Sequence, residues 1–332
     1  MSSYTTRYLT KDEYKGWDEL VAQSPASNIF DTTLWLGTLT SVLNSDIKIL
    51  GVFNKEYLVG GVAFNMIKRF GLKIAKVPPM SAFNSCHYIP KDTLQKDRLG
   101  RFVKEIVEAI AEKLQNDYCY VVLANHVEFQ DLRGLLWKDW RPIILYSYRV
   151  PLNNIDLSLI SASKRRQVKK ALKREIAIEE VKDVAHIYDI IKNTYLRQSI
   201  KCPLTLKELS GIYERLGDNM IISAAREQGN DDYKAVIVYV VDYKRKCVYN
   251  LLNGHEHEIP DSGANTLLIW EGIKFFKDKG FEYYDLGEAG RSSKANFKGE
   301  FYTDLVPYYQ VSKSNLLFSI AWHLTKGRIA RC

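Results

Sequence analysis

The segment Asp261–Phe301 constrains the fold of this chain more than any other stretch of its sequence. It reads in order as a polar loop, an apolar helix over 265–279, a strand ending on a glycine, and a second loop with a short helix. Ser262 or Asp261 is expected to cap the helix, and Gly280 suits the left-handed residue that ends it. Ligands of open α/β sheets bind at the carboxyl ends of strands and at helix N-termini. Both ends of this helix–strand unit are therefore predicted edges of a site.

Composition predicts a globular protein of two domains. The chain has 332 residues, 46% of them hydrophobic and 26% charged, and a net charge of +8. That charge permits an anionic partner such as a nucleotide, tRNA or a membrane surface, but requires none. The cysteines are scattered and form no CxxC pair, which argues for a reducing compartment and against disulfides or a zinc site. With no signal-like N-terminus and no apolar run of about 20 residues, the predicted location is cytoplasmic.

Two halves of the chain repeat one order of predicted elements. Each half reads as a helix, a three-strand meander, a loop, a helix, a strand, a short helix and a final strand. The meanders are KILGVFN, YLVGGVAFNMI and LKIAKVP in the first half, and MIISAAR, KAVIVYVVD and KCVYNLLNG in the second. A repeated element order predicts two copies of one fold. We therefore expect domains at 1–151 and 152–332, each built on a mixed α/β sheet.

The C-terminal stretch NLLFSIAWHLTKGRIARC combines a short apolar run with Lys326, Arg328 and Arg331. The favoured interpretation is a C-terminal helix that docks on the protein and has a basic end. The alternative is peripheral contact with a membrane surface, because such stretches are too short to span a bilayer.

Four segments carry a resemblance to a known family. They are NIFDTTLWLGTL, the basic SKRRQVKKALKRE, the helix–strand ANTLLIWEGIKFFKDKGFEYYDLGEAG, and the closing NFKGEFYTDLVPYY. In this order they resemble the FemAB-like and BioF2-like acyltransferases of the GNAT (acyl-CoA N-acyltransferase) superfamily. The resemblance implies two tandem GNAT-like domains, with the N-terminal domain on the acceptor side and the C-terminal domain on the donor side.

The expected donor site lies before the helix at 265–279. GNAT enzymes hold the donor pyrophosphate on a glycine-rich loop, whereas this chain has a single glycine there. Residues predicted to contact the donor are Asn253, Ser262, Gly263, Ala264 and Asn265. The basic helix adds Arg165 and Arg166, which either grip phosphates of coenzyme A, a nucleotide sugar or tRNA, or form a solvated face. The equivalent stretch of the first half, 78–93, has no glycine.

Three residues at the end of the strand FEYYDL are candidate catalytic groups. Glu288 could accept the proton of an attacking amine directly or through water, or be a solvated turn carboxylate. Asp285 points into a cleft or serves in structural hydrogen bonding. Tyr284 is a candidate general acid, although an aromatic residue in a strand usually packs.

The acceptor side is assigned to four further residues: Trp35, Tyr88, His255 and Lys298. The two aromatic rings could stack on a sugar, core packing being the default for Trp35. Lys298 matches a lysine of the family and could pair with an anionic acceptor. His255 and His257 flank Glu256, but no third ligand is signalled, so no metal is predicted. Cys202 and Cys247 lack an activating neighbour, which argues against a thiol nucleophile.

Together these observations predict a transferase that moves an acyl group onto an amine of a cell-envelope or polysaccharide sugar precursor, such as an amino sugar or nucleotide sugar. Acyl-CoA, for example acetyl-CoA, is the first choice of co-substrate, and no cofactor is expected to stay bound. Aminoacyl-tRNA is the second choice. The rival class is a non-catalytic binding protein on the same fold, including a salt-dependent RNA binder.

Overall fold

The computed structural model describes residues 4–90, 95–257, 262–290 and 292–325. Two compact units make up the chain, one formed by residues 1–145 with 307–332 and the other by residues 146–306. Asp261, proposed above as a helix cap, and the basic residues Lys326, Arg328 and Arg331 lie outside the described residues. Within the described ranges, no helix is long and apolar enough to cross a membrane.

The elements of the first half of the chain alternate between helices and strands. In order they are β1 (Tyr4–Tyr8), α1 (Tyr14–Gln23), α2 (Thr33–Leu43), β2 (Ile47–Asn54), β3 (Tyr57–Arg69), β4 (Leu72–Lys76), β5 (His87–Tyr88), α3 (Lys96–Asp117), β6 (Tyr120–Ala124), α4 (Arg133–Leu136) and β7 (Arg141–Pro151).

The second half repeats the same order after a basic helix. Its elements are α5 (Ala162–Lys173), β8 (Ile176–Glu180), α6 (Val184–Arg197), α7 (Leu206–Leu216), β9 (Met220–Glu227), β10 (Tyr233–Asp242), β11 (Cys247–His255), α8 (Ala264–Asp278), β12 (Tyr283–Glu288), α9 (Ser292–Gly299), β13 (Asp304–Ser314) and α10 (Leu316–Leu324). The predicted element order is confirmed in both halves. Two short strands, β5 and β8, were not predicted.

The first unit is built on a mixed sheet with the strand order β1, β2, β3, β4, β6, β13. The meander β2–β3–β4 is antiparallel, β5 pairs with β3, and β13 runs antiparallel to β6. β4 and β6 are parallel, so the chain must cross over between them, and α3 makes that crossover.

The second unit has the strand order β7, β12, β11, β10, β9, β8. Strands β8 to β11 are antiparallel neighbours, and β7 runs antiparallel to β12. β11 and β12 are parallel and are joined through α8. The predicted α/β class with mixed sheets is confirmed.

The closing strand of each half completes the other unit's sheet. Residues 147–151 of β7 pair with β12, and residues 310–314 of β13 pair with β6. The second unit therefore begins at residue 146, and the segment from residue 307, which the sequence interpretation placed in the second domain, belongs to the first unit.

Each unit has a hydrophobic core of its own. In the first, α3 buries Phe102, Ile106 and Ile110 against the sheet. In the second, α8 buries side chains on most of its faces, as its sequence predicts, including Leu268 and Phe276. Burying a side chain of this size is worth about 1.5–3 kcal/mol, so these two helices contribute strongly to holding their sheets.

Candidate functional site

The parallel strands β11 and β12 separate before either of them ends. Their pairing joins Cys247–Tyr249 to Tyr283–Asp285, while β11 runs on to His255 and β12 to Glu288. β12 also has an irregular register against β7 between Asp285 and Glu288. The carboxyl ends of the two parallel strands are thus spread apart at one edge of the sheet, where ligands of α/β folds bind.

A cavity of about 470 Å³ lies at this separation and is called the strand-end cavity below. β11 contributes Asn250, Leu251, Asn253 and His255, and β12 contributes Leu286, Gly287 and Glu288. α6, α8 and α9 complete the lining with Thr194, Tyr195, Gln198, Asn265, Ile269, Ser293, Lys294, Phe297 and Lys298. Five of the predicted site residues are brought together here: Asn253, His255, Asn265, Glu288 and Lys298.

A second hollow of the same unit, of about 620 Å³, is lined by Met220, Tyr243, Phe275 and Phe281 among others. Met220 begins β9 and Phe281 precedes β12, so this hollow lies at the amino end of β12. The strand-end cavity is the better candidate site because it lies at the carboxyl ends of the parallel strands and collects the predicted polar residues.

Helix α6 holds the end of β11 in place. A Cβ at Gly254 would lie 2.8 Å from the Cα of Ile191, so only glycine allows α6 to pack this closely on the strand. Thr194 Oγ1 accepts a hydrogen bond from the His255 N–H at 2.9 Å, and Arg197 donates to the His255 carbonyl oxygen. His255 is therefore fixed through its backbone at the wall of the cavity, which it lines.

Lys298 clamps the end of β12. Its Nζ donates to the carbonyl oxygens of Leu286 at 2.5 Å, Gly287 at 3.0 Å and Glu288 at 2.7 Å. An ammonium group has three donors, and three carbonyls accept them here. Burial lowers the pKa of Lys298 to about 8, and the charge of Lys294 acts in the same direction. The structure thus places Lys298 in the cavity wall as a holder of the turn, while pairing with an anionic acceptor stays a prediction.

Asp285 is buried next to the turn at 286–288. Its carboxylate accepts from Arg149 Nε at 2.8 Å, from the Gly287 N–H at 2.7 Å and from the Ser147 hydroxyl. Gly287 has a φ of +75°, a conformation that glycine adopts without strain. Two roles were predicted for Asp285: pointing into a cleft, or structural hydrogen bonding. Its contacts correspond to the second, because they hold the turn that carries Glu288.

Tyr284 is fully buried between Tyr239 and Phe276, 5.7 Å and 6.3 Å away between ring centroids. Burial raises the pKa of its hydroxyl well above the usual value, so Tyr284 keeps its proton. Burial likewise raises the pKa of Cys247 to about 12. Both groups are therefore placed in the core beside the site, in surroundings that suit packing better than proton transfer or thiolate chemistry.

The N-terminus of α8 is covered by α5. The N-cap residue is Gly263, with φ +82°, and a Cβ there would lie 2.5 Å from the Gln167 carbonyl oxygen. Ser262, one of the two expected caps, lies one position before this N-cap, and its Oγ accepts from the Ala264 N–H at 3.3 Å. Ser262, Gly263 and Ala264 are buried, whereas Asn265 reaches the cavity and accepts from Asn253 Nδ2 at 3.1 Å. α5 thus packs directly against Gly263, and donor binding at this helix start stays a prediction.

The two arginines of α5 differ in their surroundings. Arg165 donates to the carbonyl oxygens of Ser158 at 2.7 Å and Ile160 at 2.6 Å, so it holds the preceding loop. Arg166 is exposed on the outer face of the helix. The structure places neither residue in the lining of the strand-end cavity.

The aromatic residues assigned to the acceptor lie in the first unit. Trp35 is completely buried, donates from Nε1 to Ser81 Oγ at 2.7 Å and packs edge-on against Phe30. No face of its ring is open to a sugar, in keeping with the default of core packing. Tyr88, in the short strand β5, is half-buried against the core of that unit.

Several cavity residues were not identified from the sequence. Thr194 and Tyr195 of α6, and Gln198 just after it, lie far before β11 in the chain, and nothing in their local pattern points to a site. Asn250 carried a usable signal, because an amide inside an apolar strand usually needs a polar partner. Among the described residues, no group of three or more His, Cys, Asp or Glu is placed to hold a metal ion.

No protein-family model and no curated protein sequence matches the chain. Solved structures do match it over nearly its whole length. FemX superposes with a TM-score of 0.68 at 12% identity, covering 96% of this chain and 99% of FemX. The C-terminal domain of a putative lysylphosphatidylglycerol synthetase from Agrobacterium fabrum gives 0.57 at 12% identity, with coverages of 95% and 96%.

A tandem GNAT protein from the clavulanic acid biosynthesis pathway also matches, with a TM-score of 0.56 at 10% identity and coverages of 93% and 98%. These similarities confirm the FemAB-like, tandem GNAT-type fold that the sequence predicted. At such low sequence identities these similarities show the fold alone, because one fold supports many reactions.

Proposed function

We propose that this protein is an acyltransferase that moves an acyl group onto an amine of a cell-envelope or polysaccharide precursor, such as an amino sugar or nucleotide sugar. The observation that carries the proposal is the strand-end cavity, which opens where β11 and β12 part and has a carboxylate at its rim. A reactive carbonyl could enter between the strands there, and Glu288 would face the incoming amine.

The chemistry requires a place for the oxyanion of the tetrahedral intermediate. Pairing with β12 stops at Tyr249, so the edge of β11 beyond that residue presents backbone groups toward the cavity. Preorganised backbone N–H donors of this kind stabilise a developing oxyanion without reorganising. We assign that role to the backbone of residues 250–253.

Glu288 is the proposed base. The amine nitrogen attacks the acyl carbon, a C–N bond forms, and the amine proton passes to the Glu288 carboxylate directly or through water. The bond from the acyl carbon to the donor's sulfur or oxygen then breaks, and the leaving group takes up a proton. Lys298 and Asp285 act by positioning, because they hold the turn at 286–288 from which Glu288 projects.

Two donors fit this reaction. Acyl-CoA is the first candidate, since tandem GNAT architecture underlies the resemblance. Aminoacyl-tRNA is the second, because α5 packs closely against Gly263 at the start of α8, where GNAT enzymes hold the donor pyrophosphate. The exposed Arg166, Lys169 and Lys173 of α5 and the net charge of +8 also suit a polyanionic carrier.

The test is single-turnover transfer from radiolabelled acyl-CoA or aminoacyl-tRNA to a panel of amines that includes amino sugars and nucleotide sugars. Glu288→Gln should slow transfer about 10²–10⁴-fold with whichever donor is active, because loss of a general base has an effect of this size. The matched control is Glu282→Gln, an exposed carboxylate that precedes the same strand.

If Glu288→Gln transfers at the wild-type rate, Glu288 is not the general base. Failure of every donor to transfer, beside retained binding of an amine acceptor, would establish the non-catalytic alternative instead. Salt-dependent binding of bulk tRNA without transfer would identify an RNA-binding protein.

A further inference from the structure

The C-terminal helix α10 has two apolar faces, and only one of them is packed. Phe318 and Ala321 turn inward, where Phe318 stacks on Tyr120 with ring centroids 4.3 Å apart. The other face is open to solvent along a stripe of four aliphatic side chains, Leu316 (75% exposed), Leu317 (61%), Ile320 (50%) and Leu324 (80%). At 3.6 residues per turn these four fall within an arc of about 100°. Neither packing nor capping accounts for such a stripe.

A second exposed apolar group lies on the hairpin beside α10. Ile67 of β3 and Leu72 of β4 pack in the same cluster as Phe318, so α10 rests on the β3–β4 hairpin. The tip of that hairpin carries Phe70, which is 72% exposed, with the Arg69 guanidinium 5.7 Å from its ring. Lys68 and Lys73 pair across the hairpin next to the tip.

The chain segments that contain α10 and the β3–β4 hairpin carry basic residues and lack acidic ones. The sequence holds no Asp or Glu from residue 305 to residue 332, nor from 57 to 91, whereas both stretches carry several lysines and arginines. Lys326, Arg328 and Arg331 follow α10 directly in the chain. Asp139 lines the hollow beside α10 and lies 3.9 Å from the ammonium of Lys313.

We propose that α10 and the tip of the β3–β4 hairpin form a docking surface for an anionic lipid bilayer. Exposed aliphatic side chains next to cations are the features by which a helix lies in the interface of a membrane. The leucines and Phe70 would enter the acyl boundary, while the lysines and arginines remain among anionic headgroups. This inference goes beyond the proposed transfer reaction and does not depend on it.

A second copy of the chain is a weaker candidate for the same face. A nine-residue helix is about 14 Å long and about 10 Å wide, so one face offers about 140 Å². Stable protein interfaces bury about 800 Å² on each partner. A bilayer needs no such closed area, and its negative charge complements the cations around α10.

The experiment is co-sedimentation of the full chain with vesicles of phosphatidylcholine containing phosphatidylglycerol, and with phosphatidylcholine vesicles alone. We expect the chain to bind the anionic vesicles, and this binding should weaken when salt is added. Binding to vesicles of phosphatidylcholine alone should be weaker. Leu317→Ser/Leu324→Ser should reduce binding by at least about tenfold, because both side chains are exposed and the change removes membrane contacts only. Unchanged melting temperature verifies that the variant is folded.

The matched control is Leu172→Ser/Leu196→Ser, which removes two leucines of similar exposure, each 55%, from the second unit. It should bind vesicles like the wild type. Three outcomes would overturn the proposal: no sedimentation with anionic vesicles, equal loss in both variants, or a dimer in analytical ultracentrifugation that only Leu317→Ser/Leu324→Ser dissociates. The last outcome would assign the face to a second copy. Because these experiments do not measure acyl transfer, a negative result for membrane binding does not bear on the proposed transfer reaction.

Discussion

The Lys298 clamp makes a prediction about stability and pH. Burial disfavours the ammonium form and lowers the pKa of Lys298 from 10.5 to about 8, against the opposing effect of the Asp285 charge. In the unfolded chain the pKa returns to the ordinary lysine value. Between these two values the unfolded state therefore binds more protons than the native state, and the contribution of Lys298 to stability rises with pH.

The size of the effect follows from the same pKa difference. A pKa lower by about 2.5, at about 1.4 kcal/mol per pH unit, corresponds to about 3 kcal/mol between neutral pH and pH near 10.5. Lys298→Met keeps a side chain of similar length and cannot titrate. Near pH 7 the variant loses hydrogen bonds but is relieved of a buried charge, so we expect its stability to lie within about 1 kcal/mol of the wild type.

The assay is urea denaturation of wild type and Lys298→Met at several pH values from 7 upward. Only the difference in the free energy of unfolding between the two proteins is used, which cancels the titration of groups common to both. This difference should move by about 3 kcal/mol in favour of the wild type as the pH rises. Lys274→Met, an exposed lysine of α8, is the control and should show no such trend.

The opposite slope would refute the reasoning. If the wild type loses its advantage as the pH rises, the three carbonyls stabilise the ammonium more than burial destabilises it. A flat difference would mean that the ammonium is solvated and does not clamp the end of β12.

Two further predictions concern the supports of the site. Asp285→Asn leaves the buried Arg149 guanidinium without its carboxylate and should cost about 3–5 kcal/mol in urea denaturation, with a small change contradicting a buried ion pair. Gly254→Ala drives a methyl group into the backbone at Ile191 and should cost about 1–3 kcal/mol. Its control, Gly37→Ala on the exposed side of α2, meets nothing within 4 Å and should stabilise the protein by about 0.5–1 kcal/mol. Equal effects of the two substitutions would show that α6 does not pack closely on β11.

The elements themselves could be predicted from local pattern. Apolar runs predicted the two meanders, and the repeated element order predicted a helix after each of them, where α3 and α8 lie. β8 was missed because its five residues follow the basic helix without a turn signal, and the strand becomes regular only by pairing with β9.

The candidate site could be predicted in part. Placing the site at the ends of β11 and β12 required only that two parallel strands flank α8, and this brought Asn253, His255 and Glu288 to one cavity. The roles of Lys298 and Asp285 could not be predicted in the same way. Their carbonyl, amide and guanidinium partners are set by how the turn at 286–288 folds over its neighbours.

By itself the sequence determined the order of helices and strands, the burial of α8 on most faces, and the position of the candidate base at the end of β12. These properties depend on the periodicity and turn chemistry of neighbouring residues. Tertiary structure alone decided that β7 and β13 complete each other's sheets, that α5 covers the start of α8, and that α6 walls the cavity. Each of these contacts joins segments far apart in the chain, and their free energy depends on shape complementarity that no local pattern encodes.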